Sequence, residues 1–378
     1  MAVTLNNFWG AETGGMEEAT SFTGASADSG TVKTGAYSYL FNAAAESISF
    51  NPFEFIASAG VQTVIGFWFR TPASFGATVN PNMQLGDGVF IDFRLELNST
   101  GQLILLDSTL ATVITGPVLD ANVWYFVELA VIRAASSSGS LFIDGIRAGN
   151  VINADFDAIT GTPVLSFNSV STTIAWSVDN IYFLSNATTA NLLYGCEIYS
   201  YRSNLNSVTP DTGSNLNAGT WLGAQAVPFS DAAVATYSSS AVNGSVLTND
   251  VGGSAGTGGP STDANITGTI KACKGMWRAL RGGGGATTHS GYVGNSVDGV
   301  TAFTLALTTA YAFYARVSES ATICPLPSEV GKIGFGTGGA QDITVADMLY
   351  TVLHVPPRRA TFKTPYMQKK NIRHLIMR

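Results

Sequence analysis

VQTVIGFWFR, residues 61–70, carries large apolar side chains on both parities of an extended chain: Ile65, Phe67 and Phe69 on one, Val64 and Trp68 on the other. A short, nearly continuous run of β-branched and aromatic residues predicts a strand covered on both faces. WYFVELAVIR, residues 124–133, repeats the pattern, and so does WSVDNIYFL, residues 176–184. Between them the chain alternates. In VFIDFRLEL, residues 89–97, Ile91, Phe93, Leu95 and Leu97 fall on one parity, and Phe90, Asp92, Arg94 and Glu96 on the other. The second set is expected to form a solvated strand face with internal charge pairing. NSTG then predicts a turn, with Gln102 to Asp107 returning as a hairpin partner. Ser140 to Gly145 (SLFIDG) ends in an Asp-Gly turn that restarts at Ile146. Upstream, Val32 to Phe41 reads as a turn followed by a strand, and Ile48, Phe50, Phe53 and Phe55 continue the apolar series across Pro52.

Composition agrees with this reading. Charged residues make up 12 % of the 378 residues and apolar ones 46 %, with 41 glycines. Exposed helix faces need Glu, Lys, Arg and Gln, which are scarce here, whereas short Val, Ile, Thr and aromatic runs suit strands. The fold class expected is all-β: two β-sandwich, jelly-roll-like domains at 1–190 and 198–357, followed by a basic C-terminal arm at 358–378. Residues 191–200 read as a hinge, with one helical turn at Thr189 to Leu193. In the second half, strands are expected at Thr267 to Leu280, Thr301 to Leu307, Tyr311 to Val317 and Ile343 to Val355, the last stopped by Pro356–Pro357.

Charge is uneven along the chain. The net charge is −7, which argues against nucleic acid binding by the domains. No acidic residue follows Asp347, while the arm holds Arg358, Arg359, Lys363, Lys369, Lys370, Arg373 and Arg378. Apolar residues are interspersed among these, so the arm reads as a docking segment for an acidic groove on a partner subunit. The opening MAVTLNNFWG has no basic or long apolar signal region, and no apolar run is long enough to span a membrane. Three cysteines, Cys196, Cys273 and Cys324, have no CxxC spacing and give no disulfide framework, consistent with synthesis in a reducing cytoplasm.

The first half resembles the concanavalin A-like, laminin-G-like jelly-roll sandwich. The residues that carry this are Gly10 to Ala19 (GAETGGMEEA), Gly35 to Tyr39, Gly66 to Arg70, Asn122 to Leu129 (NVWYFVEL), Gly139 to Ile146 (GSLFIDGI) and Val178 to Phe183 (VDNIYF). The second half looks like a segment of phage structural proteins, through Pro210 to Gly213, Trp221 and Lys271 to Leu280 (KACKGMWRAL). Together the resemblances imply a virion structural protein: a tail or head fibre, or a capsid decoration protein. It would assemble with other virion proteins and with itself, as a trimer if it is a fibre, and could contact a host-surface glycan. A carbohydrate-binding adhesin module is the alternative, and a polysaccharide hydrolase a third reading.

The sequence offers no catalytic set. Only three histidines occur, His289, His354 and His374, without metal-ligand spacing, and no G-x-S-x-G elbow is present. Glycosidases of this shape need two acids held about 5–9 Å apart. The pairs on offer, Asp92 with Glu96 and Glu17 with Glu18, lack the E-x-D-x-x-E arrangement of glucanases of this fold. No organic cofactor is implied. The resemblance admits a calcium ion held by loop oxygens, with Glu12, Asp87 and Asp179 as its candidate ligands. Turn and hydrogen-bonding roles are the competing reading for each. Trp9, Trp221 and Trp277 could stack on sugars or pack in a core.

Overall fold

The computed structural model describes residues 4–11, 14–16, 18–51, 60–76, 81–170, 175–185, 192–210, 216–218, 235–237, 246–251, 268–281, 288–295, 299–310, 312–318, 331–336 and 343–357. The expected helical turn and the C-terminal arm fall wholly or largely outside these residues. Among the described residues there are 25 strands and no helix, so the chain is all-β as the composition predicts.

Two sheets are built from residues 4–185. The first contains β1 (Thr4–Trp9), β3 (Ser26–Asp28), β4 (Ser38–Phe41), β6 (Gln62–Arg70), β11 (Trp124–Ile132), β12 (Ser137–Ile143), β13 (Ile146–Ala154) and β15 (Trp176–Ser185). Its order is β13-β12-β11-β6-β15-β4-β3, and β1 shares with β4 the outer edge of β15. The second contains β2 (Ser21–Thr23), β5 (Ser47–Phe50), β7 (Asn82–Gly86), β8 (Ile91–Leu97), β9 (Gln102–Leu106), β10 (Thr112–Val118) and β14 (Val164–Asn168), in the order β10-β9-β8-β7-β14-β5-β2. All the strand pairs are antiparallel. One continuous core fills the space between the two sheets. It includes Ile65, Phe67, Phe69, Val127, Leu129 and Phe183 from the first, and Ile48, Phe50, Met83, Phe93, Leu95, Leu105 and Phe167 from the second. Stacked Phe41 and Trp176 (ring centroids 4.1 Å apart) lie within it.

Strands between Glu197 and Val355 form a third, ten-stranded sheet that is folded over on itself. One half holds β17 (Leu216–Ala218), β18 (Ala235–Tyr237), β20 (Thr269–Arg281), β23 (Ala312–Ser318) and β25 (Ile343–Val355). The other holds β19 (Val246–Val251), β21 (Thr288–Asn295), β22 (Gly299–Ala306) and β24 (Gly331–Gly336). β16 (Glu197–Pro210) belongs to both: its first residues pair with β25 and its last with β19. Gly275 and Gly291 let the halves close, since a Cβ on either would lie within 3 Å of the Trp277 ring.

The outer face of the first sheet is covered by the third. Leu5, Phe8, Val64, Trp68, Phe126, Ala130, Phe142, Tyr182 and Leu184 pack against Leu192, Cys196, Ile198, Ala272 and Leu353. This is why β6, β11 and β15 read as apolar on both parities. β15 is buried over its full length. Leu192 to Ile198, expected as a hinge, is instead bonded onto the first sheet. Leu193 N–H (2.7 Å) and Tyr194 N–H (3.1 Å) donate to Glu128 Oε1, Ile198 N–H donates to Asn180 Oδ1 (3.0 Å), and Trp68 Nε1–H donates to Cys196 O (2.8 Å).

Candidate functional site

Period-two alternation leaves the second sheet with one apolar face, in the core, and one outward face. Across five adjacent strands the outward positions line up in two rows. Ser21, Ser49, Ser166, Gln84 and Arg94 are successive cross-strand partners on β2, β5, β14, β7 and β8. Thr23, Ser47, Asn168, Asn82 and Glu96 make the row beside it on the same strands. All ten are polar and all but Asn82 are at least partly exposed, while their in-facing neighbours Ile48, Phe50, Leu165, Phe167, Met83, Leu85, Phe93 and Leu95 belong to the core. Strands about 4.8 Å apart make this field roughly 19 Å wide.

Short bonds hold the field in place. Ser49 and Ser166 hydroxyls are 2.9 Å apart, Asn168 Nδ2 donates to Asn82 Oδ1 at 3.1 Å, and an Arg94 guanidinium N–H donates to Gln84 Oε1 at 3.2 Å. Hydroxyls, primary amides, one guanidinium and one carboxylate are the groups that exchange paired hydrogen bonds with vicinal diols. No motif marks these residues, because each lies alone between core residues and the rows form only across strands far apart in sequence. Period-two reading of β8 alone places Arg94 and Glu96 on the outward face, as expected from the sequence.

The expected charged face of β8 is corrected by a bulge. Leu85 pairs with Phe93 but Gly86 with Ile91, so Asp92 is an extra residue that falls out of the alternation. It is buried and bonded to Arg133, the residue after β11 (Nε to Oδ2, 2.7 Å), not to Arg94. Its other oxygen accepts from Ala158 N–H (2.7 Å) and Ile159 N–H (2.8 Å). Burial raises its carboxyl above the ordinary range, and the two N–H groups and Arg133 oppose this.

Of the candidate calcium ligands, Glu12 lies outside the described residues. Asp87 sits in the turn before β8. It accepts from Phe90 N–H (2.7 Å), Val89 N–H (3.0 Å), Gly161 N–H (2.9 Å) and Thr160 N–H (3.1 Å), which hold its carboxyl well below the usual range. Asp87 and Asp92 thus pin the loop from β13 to β14. Asp179 is fully buried at a bulge in β15, beside Asn180 at φ 48°. Its carboxylate accepts from Lys33 (3.0 Å), Thr34 (3.3 Å) and Asn180 (2.8 Å) N–H groups. Burial pushes it up to about 8 against those bonds. Among the described residues no three His, Cys, Asp or Glu side chains gather as a metal site.

Of the remaining acids, Glu17 lies outside the described residues. Glu18 is buried in an ion pair with Lys274 Nζ of β20, which also bonds Phe8 O. Trp9 and Trp277 are buried, and Trp221 and the arm from Arg358 to Arg378 lie outside the described residues. His354 Nε2 accepts from Gly268 N–H (2.8 Å), and its Nδ1 is 3.3 Å from Glu197.

No family model matches the chain, and no curated protein does. Several solved structures are similar to it. An endo-β-1,4-glucuronan lyase from the fungus Trichoderma reesei is 13 % identical over 48 % of this chain and 95 % of its own, with a TM-score of 0.38. Domain 4 of an extracellular arabinanase from Geobacillus stearothermophilus, in complex with arabinotriose, is 11 % identical over 50 % and 97 %, with 0.39. A carbohydrate esterase from the Shiga toxin-encoding bacteriophage phi24B is 15 % identical over 49 % and 100 %, with 0.39. At such identities and TM-scores none of them carries an argument about what this chain does.

Proposed function

We propose that this chain is a non-enzymatic β-sandwich protein whose second sheet presents a saccharide-binding face, carried on a larger assembly. The observation behind it is the double row from Ser21 and Thr23 to Arg94 and Glu96: ten polar side chains on five adjacent strands, backed by a rigid core. Preorganised hydrogen-bonding groups on a stiff sheet lose little conformational freedom when a ligand is seated. The acid pairs that hydrolysis would need are otherwise engaged at Asp92 and Glu18. A glycan array with the full chain tests the reading. Ser166→Trp, in the centre of the field, should abolish whatever binding is found while the melting temperature holds. An array without hits, or hits indifferent to Ser166→Trp, would defeat it.

The assembly we propose is a phage virion, with the chain as a fibre or decoration protein docked by its basic arm. This rests on the sequence resemblance and on the concentration of seven basic residues in 358–378. Deleting 358–378 should leave the melting temperature unchanged and abolish incorporation into particles, read by gel analysis of purified virions. Normal incorporation would sink it.

A further inference from the structure

The two rows are neutral except at β8, and there the charges are not matched to each other. Arg94 and Glu96 project side by side from one strand, yet form no ion pair. Gln84 Oε1 is the one hydrogen-bond partner of the Arg94 guanidinium among the described residues, and it is neutral. The Arg94 Nε–H is buried without a partner. Other cations of the same sandwich are better served: Arg133 has Asp92 and Asp157, and Lys33 lies 4.0 Å over the Trp68 ring. A half-buried guanidinium set among hydroxyls and amides, without a counter-charge, presents donors suited to a planar anion.

We infer that the face takes an acidic saccharide, with the sugar carboxylate on Arg94 and its hydroxyls on Gln84, Ser166 and Glu96. This rests on the saccharide-binding reading of the same face. Glu96, one row over, would accept from a diol and reject a second carboxylate placed beside it, which sets the register of the ligand. A carboxylate of this kind is offered by a uronate or by a sialate.

The test uses the full chain and calorimetric titration with an oligogalacturonate, its methyl ester, sialyllactose and a neutral oligogalactan. The oligogalacturonate or sialyllactose should bind about tenfold or more tighter than the uncharged sugars. That preference should shrink as salt is raised. Arg94→Gln should remove it without shifting the melting temperature, and Arg94→Lys should keep part of it. Whichever acidic sugar responds to Arg94 identifies the source of the carboxylate. Equal binding of acid and ester, or a preference unchanged in Arg94→Gln, would overturn the inference and leave the face reading intact. Failure of all four sugars would also overturn the inference, and if the glycan array were empty as well the face reading would fall with it.

Discussion

At the scale of single residues the protein is governed by carboxylates that bond to backbone rather than to solvent. Asp179 is the extreme case: no exposed surface, three N–H donors, and a carboxyl pushed up to about 8 by burial from an ordinary 3.8. Because its folded value is raised, the folded chain keeps a proton that the unfolded chain has released above pH 3.8. This group therefore favours folding most below that pH. The contribution declines as pH rises and is gone above about 8. Asp179→Asn should flatten that slope, measured as melting temperature against pH. It also turns an amide N–H₂ towards a backbone N–H, so it should cost about 1–3 kcal/mol. A variant as stable as the parent, with the slope kept, would show that the pH dependence originates elsewhere. Sequence alone left the metal and hydrogen-bonding roles of Asp87 and Asp179 open. Val89, Phe90 and Asn180 supply local N–H groups, but the others come from Thr160 and Gly161 in one case and Lys33 and Thr34 in the other, far along the chain.

Among elements, the strands that sequence made legible are those whose side chains decide their environment. β6, β11, β15 and β25 carry dense apolar runs. The β12–β13 hairpin turns at Asp144 (φ 50°) and Gly145 (φ 75°), the left-handed pair that Asp-Gly favours. β21 (THSGYVGN) and β24 (GKIGFG) were illegible, since glycine-rich segments become strands only through the neighbours they pair with. The bulge at Asp92 escaped for a related reason: one extra residue reverses parity without any mark in the sequence. A further contact between elements joins β20 to the segment before β2, through the buried Lys274–Glu18 pair. Lys274→Met should cost about 3–5 kcal/mol by stranding a buried carboxylate, and adding Glu18→Gln should recover most of it. Chemical denaturation of the two single variants and the double would show this. Additive losses would mean that the pair is not coupled.

On the scale of the whole molecule, the third sheet serves as the lid of the first. The fragment 1–190 would expose Val64, Trp68, Phe126, Tyr182 and Leu184 together, an apolar patch that soluble monomers avoid. It should self-associate in gel filtration and bind a hydrophobic dye, whereas the full chain should do neither. A monomeric, dye-silent fragment would argue that the two halves are independent. The covering of the first sheet has a further consequence, for evolution. A strand with one wet face can change every second residue freely, but β6 and β15 have no wet face. The outward rows of the second sheet, by contrast, can exchange one polar group for another without disturbing the core. The part of the fold least able to vary thus supports the face proposed to meet a saccharide, so its specificity could change without the fold being renegotiated.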